Sequence, residues 1–257
     1  MFFSENFRFN NVYSKDMNVI LTYSDNSVLT KYGTNYNSQL LSDGSDEVFY
    51  SETVTTEDIE FDLIRVDEYQ NAIPWTLEAR RKVLDWMITD EFCEFISEDN
   101  PERIYYFKCI GVSREFIADM QGIMKLKMKP LSPYAFTPLI VETHRAKSDK
   151  LIEFDITNES NVTSKYYPQI SILALEDNAY VEIFNTTTSE ASLTLNGLKK
   201  GERVTIDCKM KSVFDDNGNN QLLKCNRAWL YLKKGKNNLQ VKGNCEIEVM
   251  AQFPILV

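Results

Sequence analysis

Histidine is almost absent from this chain: His144 is the single one among 257 residues. A histidine-based triad or a multi-histidine metal site would have one member to draw on, and a lone histidine is more often a surface or packing residue. Glycine is scarce too, with nine residues, and none of them sits in a phosphate-cradling loop, a Rossmann fingerprint or a G-x-S-x-G elbow. The five cysteines, Cys93, Cys109, Cys208, Cys225 and Cys245, form no C-x-x-C pair and no even set. They read as buried thiols in a reducing compartment rather than a disulfide framework. No apolar run approaches the length needed to span a bilayer, and the N-terminal MFFSENFRF lacks the basic, apolar and small-residue order of a signal peptide. The Asn-x-Ser/Thr triplets at Asn158, Asn161 and Asn185 are therefore discounted as glycan acceptors. These absences predict a chain made in the cytosol, with no cofactor, no metal and no membrane insertion.

What is present is ordinary globular material, 43% hydrophobic and 26% charged, long enough for two domains with cores of their own. Charge is unevenly distributed. Residues 40–102 hold eighteen acids against Arg65, Arg80, Arg81 and Lys82, a balance of −14. Residues 199–242 hold eleven Lys or Arg against Glu202, Asp207, Asp215 and Asp216, a balance of +7. The basic region lacks the aromatic interleaving of a nucleic-acid platform, so solvated lysines on a sheet explain it better. Such asymmetry suits head-to-tail contacts between copies.

In the first half, PWTLEARRKVLDW over 74–86 predicts a helix starting near Pro74, with Glu78 in its opening turn. Trp75, Ala79, Val83 and Trp86 share one stripe, and Arg80, Arg81 and Asp85 fall away from it. Core packing is the expected role of both tryptophans. DEFCEFI at 90–96 can continue as a short second helix, ended by the acidic loop SEDNP. Alternation predicts strands at 3–9, 18–23, 59–66, 103–110 and 122–129. LLSDGSDEVFYSETVTT over 40–56 suits a long hairpin, an arm that orders against a neighbour, or a surface loop.

Pro130, Pro133 and Pro138 in KPLSPYAFTP mark a linker. Beyond it the pattern is purely β, with strands expected at 151–156, 169–175, 180–184, 192–195, 203–208, 229–232, 238–241 and 246–253, as in an antiparallel sandwich or jelly roll. Asn196-Gly197 and Asn217-Gly218 are tight-turn signals of type I′. DDNGNN at 215–220 mimics a calcium loop, but Asn220 stands where the glycine belongs and Asn226 where the bidentate acid belongs, so a hairpin tip is expected. The acids before Pro101 sit in a solvent-facing loop rather than a catalytic cleft. No positive case for an enzyme emerges.

The order of the W-x4-RR-x4-W helix, the acidic loop into P-x-R-I-Y-Y, the PYAFT linker and a second β domain with TIDC at 205–208 and LKKGKNNLQV at 232–241 resembles the distal tail protein (Dit) family of long-tailed phages. The likeness spans essentially the whole chain. It implies a mainly β fold: an N-terminal ring-forming β domain with one main α-helix (1–134), then a C-terminal antiparallel β-sandwich of galectin-like or carbohydrate-module type (135–257). It further implies a structural virion protein of the tail tip. A hexameric hub ring would join the tail tube protein to the tail-tip protein and the receptor-binding proteins, around a channel for DNA. Trp75, Trp86, Pro101, Tyr105, Pro133, Tyr134, Asp207, Gly235 and Asn237 match family signature positions, yet the residue-level reading makes most of them core or turn residues. Acids of 40–102 lining the ring would repel passing DNA, since phosphate binding is driven by cations. Arg80 and Arg81, the only adjacent Arg pair in that acidic region, mark the expected contact with a neighbouring subunit. The alternative is a glycan-binding module, with Trp229, Tyr231, Tyr166 or Tyr167 as stacking platform; a wall hydrolase with paired carboxylates ranks third.

Overall fold

The run from Pro74 to Trp86 forms its helix, α1, over Leu77–Met87 in the computed structural model. The structure describes residues 4–22, 32–40, 47–116, 122–147 and 150–256, by backbone alone at 32–40, 47–55 and 114–116. Thr76 caps α1: its hydroxyl accepts from Ala79 N at 3.2 Å, and its own backbone is extended. The cap places the start three residues beyond Pro74, because a threonine acceptor holds the first turn better than a proline that only lacks a donor. Trp75 consequently precedes the helix instead of joining its stripe.

The chain divides into two units, the first ending at Ala135 and the second running over Phe136–Leu256. The first contains β1 (Phe7–Phe9), β2 (Val12–Tyr13), β3 (Val19–Thr22), β4 (Tyr32–Leu40), β5 (Glu47–Thr56), β6 (Ile59–Arg65), β7 (Cys93–Ser97), β8 (Ile104–Phe116) and β9 (Gly122–Pro130). Seven of them form an antiparallel sheet in the order β2-β1-β7-β8-β9-β6-β3. Among the described residues β4 and β5 pair only with each other. Of the readings open for 40–56, the hairpin is thus the one found for the described residues.

DEFCEFI is not a second helix. Cys93–Ser97 is β7, laid between β1 and β8. The short run carried a period of two as well as a helical one, and burial decides between them: Phe95 and Ser97 face inward while Glu94 and Ile96 are half-buried. Phe95 stands 5.2 Å from Phe7, 5.0 Å from Phe61 and 5.5 Å from Phe107, in a connected set of rings that a helix at this position would break.

β10 (Ala135–Phe136) marks the boundary. The second unit holds β11 (Ile140–Ala146), β12 (Ile152–Asn158), β13 (Lys165–Tyr166), β14 (Gln169–Ala174), β15 (Ala179–Asn185), β16 (Leu193–Leu198), β17 (Arg203–Asp207), β18 (Ser212–Asp215), β19 (Leu232–Lys233), β20 (Gly235–Lys242), β21 (Cys245–Ala251) and β22 (Pro254–Ile255). A five-stranded sheet, β11-β21-β14-β17-β18, and a four-stranded one, β12-β20-β15-β16, share one core. Alternation makes this possible: β21 buries Cys245, Ile247, Val249 and Ala251, and β20 buries Asn237, Leu239 and Val241. The fold is the expected antiparallel sandwich.

Three local expectations are corrected. The segment 229–232 is a strand only at its last residue. Leu230, Tyr231 and Leu232 are buried in succession, and the carbonyls of Tyr231 and Leu232 are met by the side chains of Asn185 (2.9 Å) and Asn158 (3.2 Å) rather than by a ladder. Asn196-Gly197 is not a turn but lies inside β16, where the register with β15 shifts and Gly197 takes φ +70°. Asn217-Gly218 is a turn but not of type I′, since among the non-glycine residues with positive φ Asn217 does not figure and Gly218 alone takes it, at +78°.

Candidate functional site

Along α1, Val83, Trp86 and Met87 are buried, Ala79 and Arg80 are half-buried, and Arg81, Lys82 and Asp85 are exposed. Trp86 donates from Nε1 to Phe9 O at 2.8 Å and stacks on Phe7 at 5.7 Å and 12°. Trp75 is fully buried and donates to Gly122 O at 2.9 Å. Both indoles therefore tie the helix and its entry to the sheet, and neither is a binding surface. Burying one indole removes roughly 150–250 Å² from water, worth about 4–6 kcal/mol as an upper figure.

The opposite side of α1 carries the charge. Arg80 Nε donates back to Thr76 O at 3.4 Å, which holds that side chain along the helix. Arg81 and Lys82 point to solvent. Beside the first turn a cleft of about 220 Å³ is lined by Asn18, Arg65, Thr76, Glu78 and Lys82 among others. Arg65 Nη1 donates to Pro74 O, while its buried Nε has no acceptor. Neither Lys82 nor Arg65 carries a site signal in the sequence, since Lys82 only ends the Arg80-Arg81-Lys82 run and Arg65 stands alone in a strand, and only the fold brings them to one cleft.

In the same strand β6, Asp62 is 1% exposed and neither carboxylate oxygen has a hydrogen-bond partner among the described residues. It lies on the outer face, across from Thr22 and Lys125 in register. Other acids of the segment are paired at the surface: Asp58 with Lys127 at 3.0 Å, Glu98 with Lys15 at 3.2 Å and Glu94 with Arg8 at 3.8 Å. These exposed pairs are worth little each.

Several of the signature positions have structural roles. Tyr105 is 4% exposed and lies parallel to Phe107 at 6.0 Å. Asp207 Oδ1 accepts from Met210 N at 2.7 Å. Asn237, fully buried, accepts from Lys233 N at 2.9 Å and donates to Lys233 O at 2.7 Å and Gly235 O at 2.8 Å, which closes the turn into β20.

In the second unit the aromatics considered for sugar stacking are engaged. Tyr231 is 6% exposed, donates to Glu190 Oε1 at 2.7 Å and lies under Lys165 Nζ at 4.4 Å. Tyr166 accepts from Gln252 N at 2.9 Å and meets Phe253 edge-on, Tyr167 tilts against Tyr231 at 5.9 Å, and Trp229 packs on the core. His144 stacks on Phe154 at 3.9 Å, and its Nε2 lies 3.5 Å from Glu142 Oε2 without hydrogen-bond geometry. The Asp215 carboxylate is spent on Asn217 N, Asn219 N, Asn219 Nδ2 and Gln221 Nε2, so it closes a loop instead of offering a cation site. A cleft of about 480 Å³ has Lys199, Lys200, Arg203 and Lys224 on its walls, but Glu202, Asp215 and Asp216 stand among them and Lys224 pairs with Glu202 at 2.5 Å. No group of three or more potential metal ligands occurs among the described residues. Nor is any helix among them long and apolar enough to cross a membrane.

The fold is similar to that of SPP1 Dit, from a structure described as a paradigm of the hub adsorption apparatus in phages infecting Gram-positive hosts. That chain shares 13% identity at a TM-score of 0.64, with 96% of this chain and 98% of the other covered. Chains of the phage P2 baseplate in its activated conformation are also similar, at 11% and 12% identity, TM-scores of 0.52 and 0.53, and at least 95% of both chains covered. No curated protein sequence matches. Family models described as a phage tail protein N-terminal domain and a phage tail C-terminal domain match residues 2–130 and 134–251. With both halves matched in order, the chain belongs to the phage tail protein family.

Proposed function

We propose that this chain is a structural hub of the phage tail tip: copies close into a ring, hexameric as in the resembling family, that joins the tail tube protein to the tail-tip protein and the receptor-binding proteins. The observation that carries this reading is end-to-end likeness to SPP1 Dit, over 96% of one chain and 98% of the other, with both tail-family domains in order. The domain limits 1–134 and 135–257 correspond to a ring-forming part and a projecting sandwich. The protein resides in the virion after assembly in the host cytoplasm and performs no catalysis. The burial of Tyr231 and the engagement of Tyr166, Tyr167 and Trp229 favour this over a glycan-binding module.

Arg80 and Arg81 on α1 face the neighbouring subunit, and acids of 40–102 turn toward the channel, where they keep DNA from adhering. Mass measurement in solution together with imaging of the purified protein tests the reading. Rings of six that dissociate as salt rises are expected, and a monomer that binds saccharide would replace the hub with the lectin.

A further inference from the structure

The helix α1 joins its sheet through one face, that of Val83, Trp86 and Met87. A helix lodged in this way ordinarily carries polar residues on its outer side. Here the outer side has an apolar stripe of its own, because Leu77, Arg81, Leu84 and Ile88 follow at steps of four, three and four residues, which line up side chains along one face. Leu77 is 58% and Ile88 54% exposed, and Leu84 is half-buried. Arg81 is the charge within the stripe, exposed and in no ion pair among the described residues.

The loop that leaves β6 presents the complementary chemistry. Tyr69 is 77% exposed, the most of any aromatic among the described residues, and its neighbour Glu68 is exposed and equally without an ion pair there. The loop is stapled: Asp67 Oδ1 accepts from Tyr69 N at 2.9 Å and from Asn71 N at 2.8 Å. In the second unit Asp215 closes a loop in the same way with Asn217 in the place of Tyr69, so closure does not require the tyrosine. An aromatic ring on a pre-ordered loop makes a contact with little further loss of freedom. Both Tyr69 and the leucine seven residues after it remain exposed, so the loop does not fold back on its own helix.

We infer that the Glu68-Tyr69 loop of one copy docks on the outer stripe of α1 of a second copy, with the Tyr69 ring against Leu77, Leu84 and Ile88 and the Glu68 carboxylate facing Arg81. The choice of a second copy rests on the ring reading above, and the contact names two of its faces. A head-to-tail assembly needs two different surfaces on each subunit. Opposite charge fixes the register, since two loops or two stripes brought together would oppose like charges.

Oligomeric mass followed over protein concentration tests this. Tyr69→Ser, and separately Leu77→Ser with Ile88→Ser, should each raise the concentration for half-assembly at least about tenfold. Glu68→Arg and Arg81→Glu should each weaken assembly, and the chain carrying both should recover it, because the charge pair is then restored in reverse. Thermal melts of the separated monomers, unchanged by these substitutions of exposed side chains, show that lost assembly is not lost folding. Wild-type rings that none of the changes weakens overturn the contact and leave the ring standing. A doubly reversed chain that assembles no better than the single reversals also overturns the contact. A wild type that stops at dimers, split by the same substitutions, keeps the contact and ends the ring. A wild type that stays monomeric at every concentration overturns both.

Discussion

Asp67 holds Asn71 as Asp215 holds Asn219. In each pair the aspartate Oδ1 accepts the asparagine backbone N–H at 2.8 Å, and the aspartate N–H donates to the asparagine carbonyl at 3.0 Å. A second backbone donor two residues on, Tyr69 N or Asn217 N, reaches the same Oδ1 at 2.9 Å. The residue before each asparagine takes positive φ, Gln70 at 64° and Gly218 at 78°. One loop design, Asp-x-x-x-Asn, therefore closes a β-turn in each unit, the second of them the calcium-loop mimic.

Both carboxyls are held below the usual aspartate value by these bonds, chiefly the backbone donor of Asn71 for Asp67 and the side-chain donor of Asn219 for Asp215. A depressed folded value gives stability that is present above the unfolded value near 4 and is lost as pH falls through the folded one. Asp215→Asn should therefore lose less thermal stability than wild type when the pH drops from about 5 to about 3. Parallel melts at both pH values check this.

Gln70 adopts a backbone state that costs an L-residue energy, where the matching loop uses glycine. Gln70→Gly should raise stability by about 0.5–1 kcal/mol, and Gly218→Gln should lower it by a similar amount. Urea titration of the two variants measures both signs.

Asp62 pays desolvation without a hydrogen bond in return. Asp62→Asn, of nearly the same shape and without charge, should stabilise the protein at neutral pH by about 1 kcal/mol or more. A lower urea midpoint in this variant would show that the carboxylate is satisfied in solution.

Trp86→Phe keeps most of the apolar contact with Phe7 but leaves Phe9 O without its donor. A cost of about 1–3 kcal/mol is expected. Trp86→Ala should cost about 3–5 kcal/mol. Denaturant titration followed by circular dichroism ranks the two.

Burial pushes the Cys208 thiol up to about 12 and the Cys245 thiol up to about 11. With thiolate scarce at pH 8, neither should react with a thiol reagent in the native protein. Half-buried Cys93 should label first, and mass spectrometry of peptides from briefly treated protein reads the order.

Much of the fold was legible because its signals are local. Alternation marked the strands that build both cores, the run from Pro74 to Trp86 marked a helix, and three prolines within nine residues marked the linker. The segment at 90–96 was not legible: its period suited helix and strand alike, and only the ring cluster around Phe95 makes it β7. The Asn-Gly pair at 196–197 signalled a turn, but pairing with β15 turned its positive φ into a bulge.

By itself the sequence determined the class, the two-domain order, the charge asymmetry and the buried fate of Trp86, because periodicity, punctuation and composition act over a few residues. Tertiary structure alone decided that Arg65 and Lys82 share a cleft, that Asp62 is buried without a partner and that the β4–β5 ribbon stands as a sheet of its own. Those facts depend on which distant strands lie side by side, and no local pattern encodes that pairing.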